Sequence, residues 1–282
     1  VEHVPIERYL NGVVPYEIGA SSPEAALAAQ AVLARTWATA NSHRFKVDGY
    51  NLCSDTQCQV YKDPSKADQK IKTAIKTTAG KILTWNQKPI NTVYHATNGG
   101  VMASIDEAWS TQPVPYLKMR LDGPKDWSRK VNLPLSNEEH LKSFLLSESE
   151  AFGSDHPLFR WNRTLESFQI SKQLTQAQKV TSTFYPNKID VVSRGNSGRV
   201  TSLKIEDNSG AEILLKLDDI RRVLRQLPST LFVVNEIKEG KWRFSGGGFG
   251  HGAGMSQSGA IELAKNGWTT KQILSYYYPK TK

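Results

Sequence analysis

Between Glu24 and Asn41 the chain reads EAALAAQAVLARTWATAN, a run so rich in alanine that a helix is the regular element it suits best. Its small side chains allow close packing against neighbours, so the run predicts a central buried helix. Ser22 as N-cap with Pro23 at the first helical position, or Ser21 with Glu24 as a capping box, sets the expected start. Polar groups on such a helix need partners if buried. Gln30 and Arg35 therefore either brace the segment before the helix or face a cleft.

That preceding segment is Val13-Val14-Pro15-Tyr16-Glu17-Ile18. An apolar pair, a proline and then a lone acid place Glu17 in a short connector among apolar neighbours. Partial burial there disfavours the ionised form, raises the pKa and leaves a proton donor at neutral pH. Glu17 is thus the candidate general acid. The plainer alternative is a surface acid, or one that favours the positive end of the next helix.

At 282 residues the chain can bury a sizeable core, as one large domain or two coupled lobes. Hydrophobic residues at 39% and charged residues at 22% are ordinary for a soluble globular protein. No apolar run approaches the roughly 18 residues that a membrane helix needs. With no signal peptide ahead of Val1, the sequence is expected to be a trimmed or mature fragment, which leaves its compartment open. The formal charge of +9 favours encounter with anionic partners: nucleic acid, anionic lipid or wall polymer. Lys and Arg are scattered and form no recognisable nucleic-acid module, which argues against the first.

Along the chain, Val1–Leu10 alternates weakly, as a strand would. Residues 65–79 predict an amphipathic helix closed by Gly80, and the runs either side of Asn86-Gln87-Lys88 predict a hairpin that delivers His95. A capping box at Ser136 and Glu139 opens a further helix, and 149–160 reads as a loop and the expected lobe boundary. Strands follow at 163–170, 189–194, 200–206 and 212–217, then at 231–235 and 241–244, with two helices at the end. Helices mixed with antiparallel hairpins, without β-α-β alternation, give an α+β fold around the alanine-rich helix. A single domain over 1–282 is expected.

Glycines at 246, 247, 248, 250, 252 and 254 surround His251 and precede Met255-Ser256-Gln257. No Lys-Ser or Lys-Thr follows, so this is not a phosphate loop. It reads instead as close backbone approach to a polar, uncharged polymer, with His251, Ser256 and Gln257 as donors and acceptors. The alternative is a tight structural crossing that only glycine fits. His95 at a strand end is structural or functional on equal terms, and no G-x-S-x-G elbow accompanies it. Trp109 and Tyr116 would stack on sugar faces or fill the core. Cys53 and Cys58, with four residues between them, would form a disulfide, ligate zinc or stay free. Zinc wants three or four ligands and the nearby histidine is His43 alone, so a disulfide is the simpler account in an exported protein.

Several segments together resemble the stage II sporulation protein D family, which includes the amidase enhancers. They are Tyr9-Leu10-x-Gly12-Val13-Val14-x-x-Glu17, Ala26-Leu27-x-Ala29-Gln30-Ala31-x-x-Ala34-Arg35-Thr36 and Cys53-x-x-x-x-Cys58-Gln59-x-Tyr61. Further matches are His95-x-x-x-Gly99-Gly100, Trp109, Pro115-Tyr116-Leu117, Ser197-Gly198-Arg199-Val200, the glycine-rich segment from Gly248 to Ala260, and Ile273-Leu274-x-Tyr276-Tyr277-Tyr278-Pro279.

The resemblance implies an exported protein acting on peptidoglycan at the periplasmic or wall side of the membrane. It implies a lytic transglycosylase whose single catalytic glutamate falls on Glu17, releasing a 1,6-anhydro end after N-acetylmuramic acid. By motif, Gln30, Arg35, His95, Trp109, Tyr116, His251, Ser256 and Gln257 would bind the glycan. No cofactor is implied: some relatives hold zinc near the cysteines with a histidine, and Gln57 stands where that histidine is common. The name amidase enhancer implies the alternative, a non-catalytic wall-binding protein whose partner is a cell-wall amidase.

Overall fold

The alanine-rich segment is a helix, Glu24–Ala40, and every residue from Ala26 to Ala38 on it is buried. The computed structural model describes residues 1–180 and 184–282. It divides into two units, residues 1–94 with 259–282 and residues 95–258.

In the first unit the buried helix packs against Gln69–Thr77 and Thr270–Tyr277. Alanines at 26, 28, 29, 31, 34 and 38 let both neighbours approach on different faces. The helix is also tied by its polar groups. Thr92 donates to the Leu33 carbonyl at 2.7 Å, and the Thr36 hydroxyl accepts the Leu83 N–H at 2.9 Å. Asp68 caps the second helix through the Ile71 N–H, which is why it starts later than the expected residue 65. The hairpin at Thr84–Trp85 and Lys88–Pro89 turns on Asn86 and Gln87, both with positive φ.

Two local expectations fail here. The start of the chain is not a strand: Ile6–Asn11 is a helix, with Pro5 at its N-cap and the Pro5 carbonyl accepting the Tyr9 N–H. Proline presets the φ that helix entry needs. The N-cap of the long helix is Pro23 itself, because the Ser22 hydroxyl turns back to the Ile18 carbonyl at 2.7 Å.

The second unit holds two three-stranded antiparallel sheets. One runs Pro186–Arg194, Val200–Asp207, Glu212–Lys216, and the other Phe232–Lys238, Lys241–Gly247, Arg160–Glu166, with Lys241–Gly247 at its centre. Trp242, Phe232, Phe244, Leu203 and Ile205 share one apolar cluster with the helix Ser167–Gln176. A second cluster gathers Phe144, Leu141, Val101 and Leu231. Ala151 and Phe159 belong to it, so the stretch 149–160 lies inside this unit. Among the described residues, helices and antiparallel sheets without β-α-β units make the class α+β, as expected.

The glycine-rich segment is a crossing within this unit. Thr97 and Phe249 bridge antiparallel, and Ala103 and Ala253 parallel. A Cβ on Gly248 would lie 2.9 Å from the Asn98 carbonyl carbon, and one on Gly252 would lie 2.2 Å from the Arg199 guanidinium. Arg199 is fully buried and donates to the Val101 and Asn98 carbonyls at 3.1 and 2.9 Å. It therefore bolts the 98–101 segment in place beneath Gly252 and has no room to retreat. Gly252 also has φ +81, which a side chain rarely tolerates. Gly252→Ala is expected to destabilise the protein by about 2–4 kcal/mol, read by denaturant unfolding.

Candidate active site

In the first unit Pro15–Gly19 winds as one π-helical turn, with Glu17 in its middle and the Glu17 N–H donating to the Val13 carbonyl at 3.0 Å. The connector is thus helical after all, because proline is tolerated in a first turn, where its missing N–H costs nothing. Such widened turns concentrate at functional sites.

The Glu17 side chain is half-buried. Its Oε1 accepts the Val60 N–H at 2.8 Å, and the Tyr94 hydroxyl donates to it as well. Burial lifts its pKa; the Val60 and Tyr94 hydrogen bonds pull against that, and the net direction is upward. Tyr94 in turn accepts Gln59 Nε2 at 3.0 Å, while Gln59 Oε1 accepts the Tyr9 hydroxyl at 2.9 Å. Donors therefore point one way, Tyr9 to Gln59 to Tyr94 to Glu17. Both phenols are driven upward in pKa, first by burial and then by the Glu17 charge, and both stay protonated as donors.

The network has a rigid backing. Gln59 Nε2 also reaches the Ala34 carbonyl on the alanine-rich helix, 3.3 Å away. Tyr9 stacks on Tyr61 with ring centroids 5.2 Å apart. Gly12 sits beneath Tyr61, where a Cβ would come within 2.4 Å of the ring, and the Gly12 carbonyl accepts the Lys62 N–H at 2.9 Å. Cys53 and Cys58 are joined by a disulfide, which closes the loop just before Gln59 and Val60. With both sulfurs bonded to each other and an amide at Gln57, the residues present do not fit zinc.

Arg35 is 2% exposed and grips Glu7 with two hydrogen bonds of 2.8 Å, while its Nη1 donates to the Lys81 carbonyl at 3.0 Å. Its guanidinium is thereby committed to bracing the first helix against the long one. Burial opposes ionisation of Glu7, but the Arg35 and Gly80 hydrogen bonds and the Arg35 charge outweigh it and hold the carboxyl low. Gln30 is fully buried on the same helix.

The remaining expected residues lie in the second unit or at its edge. Trp109 and His251 are half-buried, ring centroids 4.6 Å apart, and His251 meets His95 edge-on at 5.2 Å. His95 is buried, and its Nδ1 donates to the Ala253 carbonyl at 3.0 Å. Burial first, and then the neighbouring His251 and Arg199, push its pKa well down, so the ring is neutral. The Ala253 N–H donates to His251 Nδ1 at 3.2 Å. Trp109 and His251 thus form a partly open aromatic surface on a fixed histidine base. Tyr116, Ser256 and Gln257 are buried, the first with a phenol raised by that burial. Tyr9, Gln59 and Tyr61 stood inside the motif segments without a role; Tyr94 carried no signal beyond preceding His95.

Residues 1–85 match a family described as stage II sporulation protein, and residues 103–254 match one described as a domain of unknown function (DUF8618). Over its whole length the chain is 30% identical to stage II sporulation protein D of Bacillus subtilis (strain 168), of which it covers 75%. The chain belongs to the stage II sporulation protein D family. Another family member, from Bacillus amyloliquefaciens, is 31% identical over 99% of this chain and 74% of its own length. An amidase enhancer of Bacillus subtilis (strain 168) is 30% identical over 96% of this chain, which spans 40% of that longer protein.

Because the folded-state pKa of Glu17 is raised, its ionisation costs stability as pH rises above the ordinary carboxylate value of 4.5. Glu17→Gln keeps an acceptor for Val60 and is expected to raise the melting temperature by a few degrees at neutral pH. The gain should vanish at pH values where the carboxyl is protonated in both states. Tyr94→Phe removes a donor that favours the carboxylate, so the Glu17 pKa should climb further, read by NMR titration of labelled glutamate side chains.

Proposed function

We propose that this protein is a lytic transglycosylase that cleaves peptidoglycan glycan strands, with Glu17 as its acid and base. Membership of the stage II sporulation protein D family supports a cell-wall role. The observation that carries the finer reading is the setting of Glu17: a half-buried carboxyl, raised in pKa by that burial, with no other charged group acting on it among the described residues. A protonated Glu17 would deliver its proton to the glycosidic oxygen after N-acetylmuramic acid, and the bond from C1 to that oxygen would break. The resulting carboxylate, steadied by the Val60 N–H and the Tyr94 hydroxyl, would take the proton from the C6 hydroxyl of the same sugar. The C6 oxygen closes on C1, giving a 1,6-anhydro ring without consuming water.

An intramolecular nucleophile removes the need for the second carboxylate that hydrolytic glycosidases place opposite the first. A lone acid is therefore sufficient for this chemistry and insufficient for ordinary hydrolysis. The tyrosine–glutamine chain suits the second half of the reaction, because it stabilises the charged form that must act as base. Trp109 and His251 offer a surface for a sugar face. Export to the wall side of the membrane is part of the proposal; among the described residues no helix is long and apolar enough to cross a membrane. A non-catalytic enhancer of a cell-wall amidase is the rival reading, and it draws on the name of one relative alone.

Denuded glycan strands incubated with wild-type protein should yield anhydro-ended fragments by mass spectrometry, and Glu17→Gln should yield about 10²–10⁴-fold fewer. The rate at low substrate should fall as pH rises through the elevated Glu17 pKa, since the donor is then lost. Absence of anhydro ends with wild type, where an authentic muralytic enzyme produces them, would sink the proposal. An amidase stimulated equally by wild type and Glu17→Gln would favour the rival.

A further inference from the structure

Phe249 lies two residues before His251 in the glycine-rich crossing, and it is 44% exposed. Its backbone is pinned on both sides by Thr97: its N–H donates to the Thr97 carbonyl at 2.7 Å and its carbonyl accepts the Thr97 N–H at 3.3 Å. The ring borders a cavity of about 390 Å³ whose lining includes Arg163, Arg221, Arg222 and Arg225. Buried Asp218 organises one side, accepting Arg221 Nε and Nη2 at 2.6 and 2.9 Å and Arg222 Nε at 2.8 Å. Among the described residues Arg163 and Arg225 make no ion pair. Four arginines therefore line one cavity while one acid holds two of them, leaving an excess of positive charge among its lining residues.

We propose that this pocket binds the phosphodiester groups of a polyol-phosphate polymer of the cell wall. The inference rests on the reading that the chain works at the wall; the site itself is separate from Glu17. Neutral sugars give no reason for four arginines to line one cavity, and an isolated carboxylate would leave most of them unmatched. A phosphodiester chain carries a negative charge at every repeat, and the planar fork of arginine matches phosphate oxygens two at a time. Of the other lining residues Leu158, Leu227 and Pro228 are aliphatic and Gln226 is a neutral amide, a mixture that suits a polyol backbone. Among the described residues Phe249 is the one aromatic ring lining it, whereas single-stranded nucleic acid is held by rings on which successive bases stack.

The test is calorimetric titration of the whole chain with a poly(glycerol phosphate) oligomer, comparing wild type with Arg163→Gln/Arg225→Gln. Neither side chain belongs to the proposed catalytic machinery, and an unchanged melting temperature verifies the fold. Arg225→Gln alone serves if the double variant melts early. The expected result is saturable binding by wild type that weakens at least tenfold in the variant and declines steadily with added salt. Equal affinity of wild type and variant overturns the proposal. So does tighter binding by wild type of a single-stranded oligonucleotide or a polyglutamate of equal charge. Phosphate-free glycan strands are titrated in parallel and should bind both proteins alike. Loss of glycan binding and cleavage with retained polyol-phosphate binding would defeat the transglycosylase reading and leave this one standing.

Discussion

A carboxyl group withdrawn from water stays usable in both protonation states only if its charged form is given donors to replace the lost solvent. At Glu17 burial and hydrogen bonding oppose each other, and burial wins. The rest of the first unit serves that balance. The long alanine-rich helix supplies the Ala34 carbonyl that fixes Gln59, Gln59 orients Tyr94, and Tyr94 meets the carboxyl. Were the helix built of larger side chains, its neighbours would stand further off and the chain of donors would lose its anchor.

The same logic explains why so many charged and polar motif residues are not at a surface. The motif resemblance counts Arg35 among the glycan contacts, yet its guanidinium is committed to Glu7 and two carbonyls. That arrangement fixes the helix Ile6–Asn11, and with it Tyr9, at one end of the donor relay. Arg199 plays the corresponding part in the second unit, below Gly252. A buried guanidinium with several carbonyl partners is a rigid multi-point tie, and burial brings Arg199 down only to a pKa of about 10, so it remains charged. Both arginines act on their sites through backbone they hold in place.

The alanine run, the hairpins of the second unit and the partial burial of Glu17 were legible because each depends on local sequence: composition, turn residues, a proline beside a lone acid. What stayed hidden depends on pairing across long stretches of chain. Tyr94 reaches Glu17 from 77 positions away, and nothing near residue 94 announces it. The helix at 6–11 was misread because a weak alternation hid the proline start and the pairing of Glu7 with Arg35 that helps hold it. The glycine-rich segment was legible as close approach but not as approach to what: Gly248 meets the chain at Asn98, and Gly252 meets Arg199. Composition fixes that something must come near; only the fold decides whether it is a ligand or the protein itself.

The disulfide shows how the two kinds of information join. Cys53 and Cys58 close a small loop whose exit delivers Gln59 and Val60, and those two residues supply the relay amide and the N–H that meet Glu17. Cross-linking such a loop removes much of the conformational freedom that the segment would otherwise lose on ordering its donors. A metal bound through the same cysteines could order that loop too, but a cation near the carboxyl would favour its ionised form and work against a proton donor. A neutral cross-link constrains the loop without adding charge. The bonded cysteines, the amide at Gln57 and the uncharged phenol–amide relay thus form one consistent setting, in which burial alone lifts the Glu17 pKa and neutral donors alone restrain it.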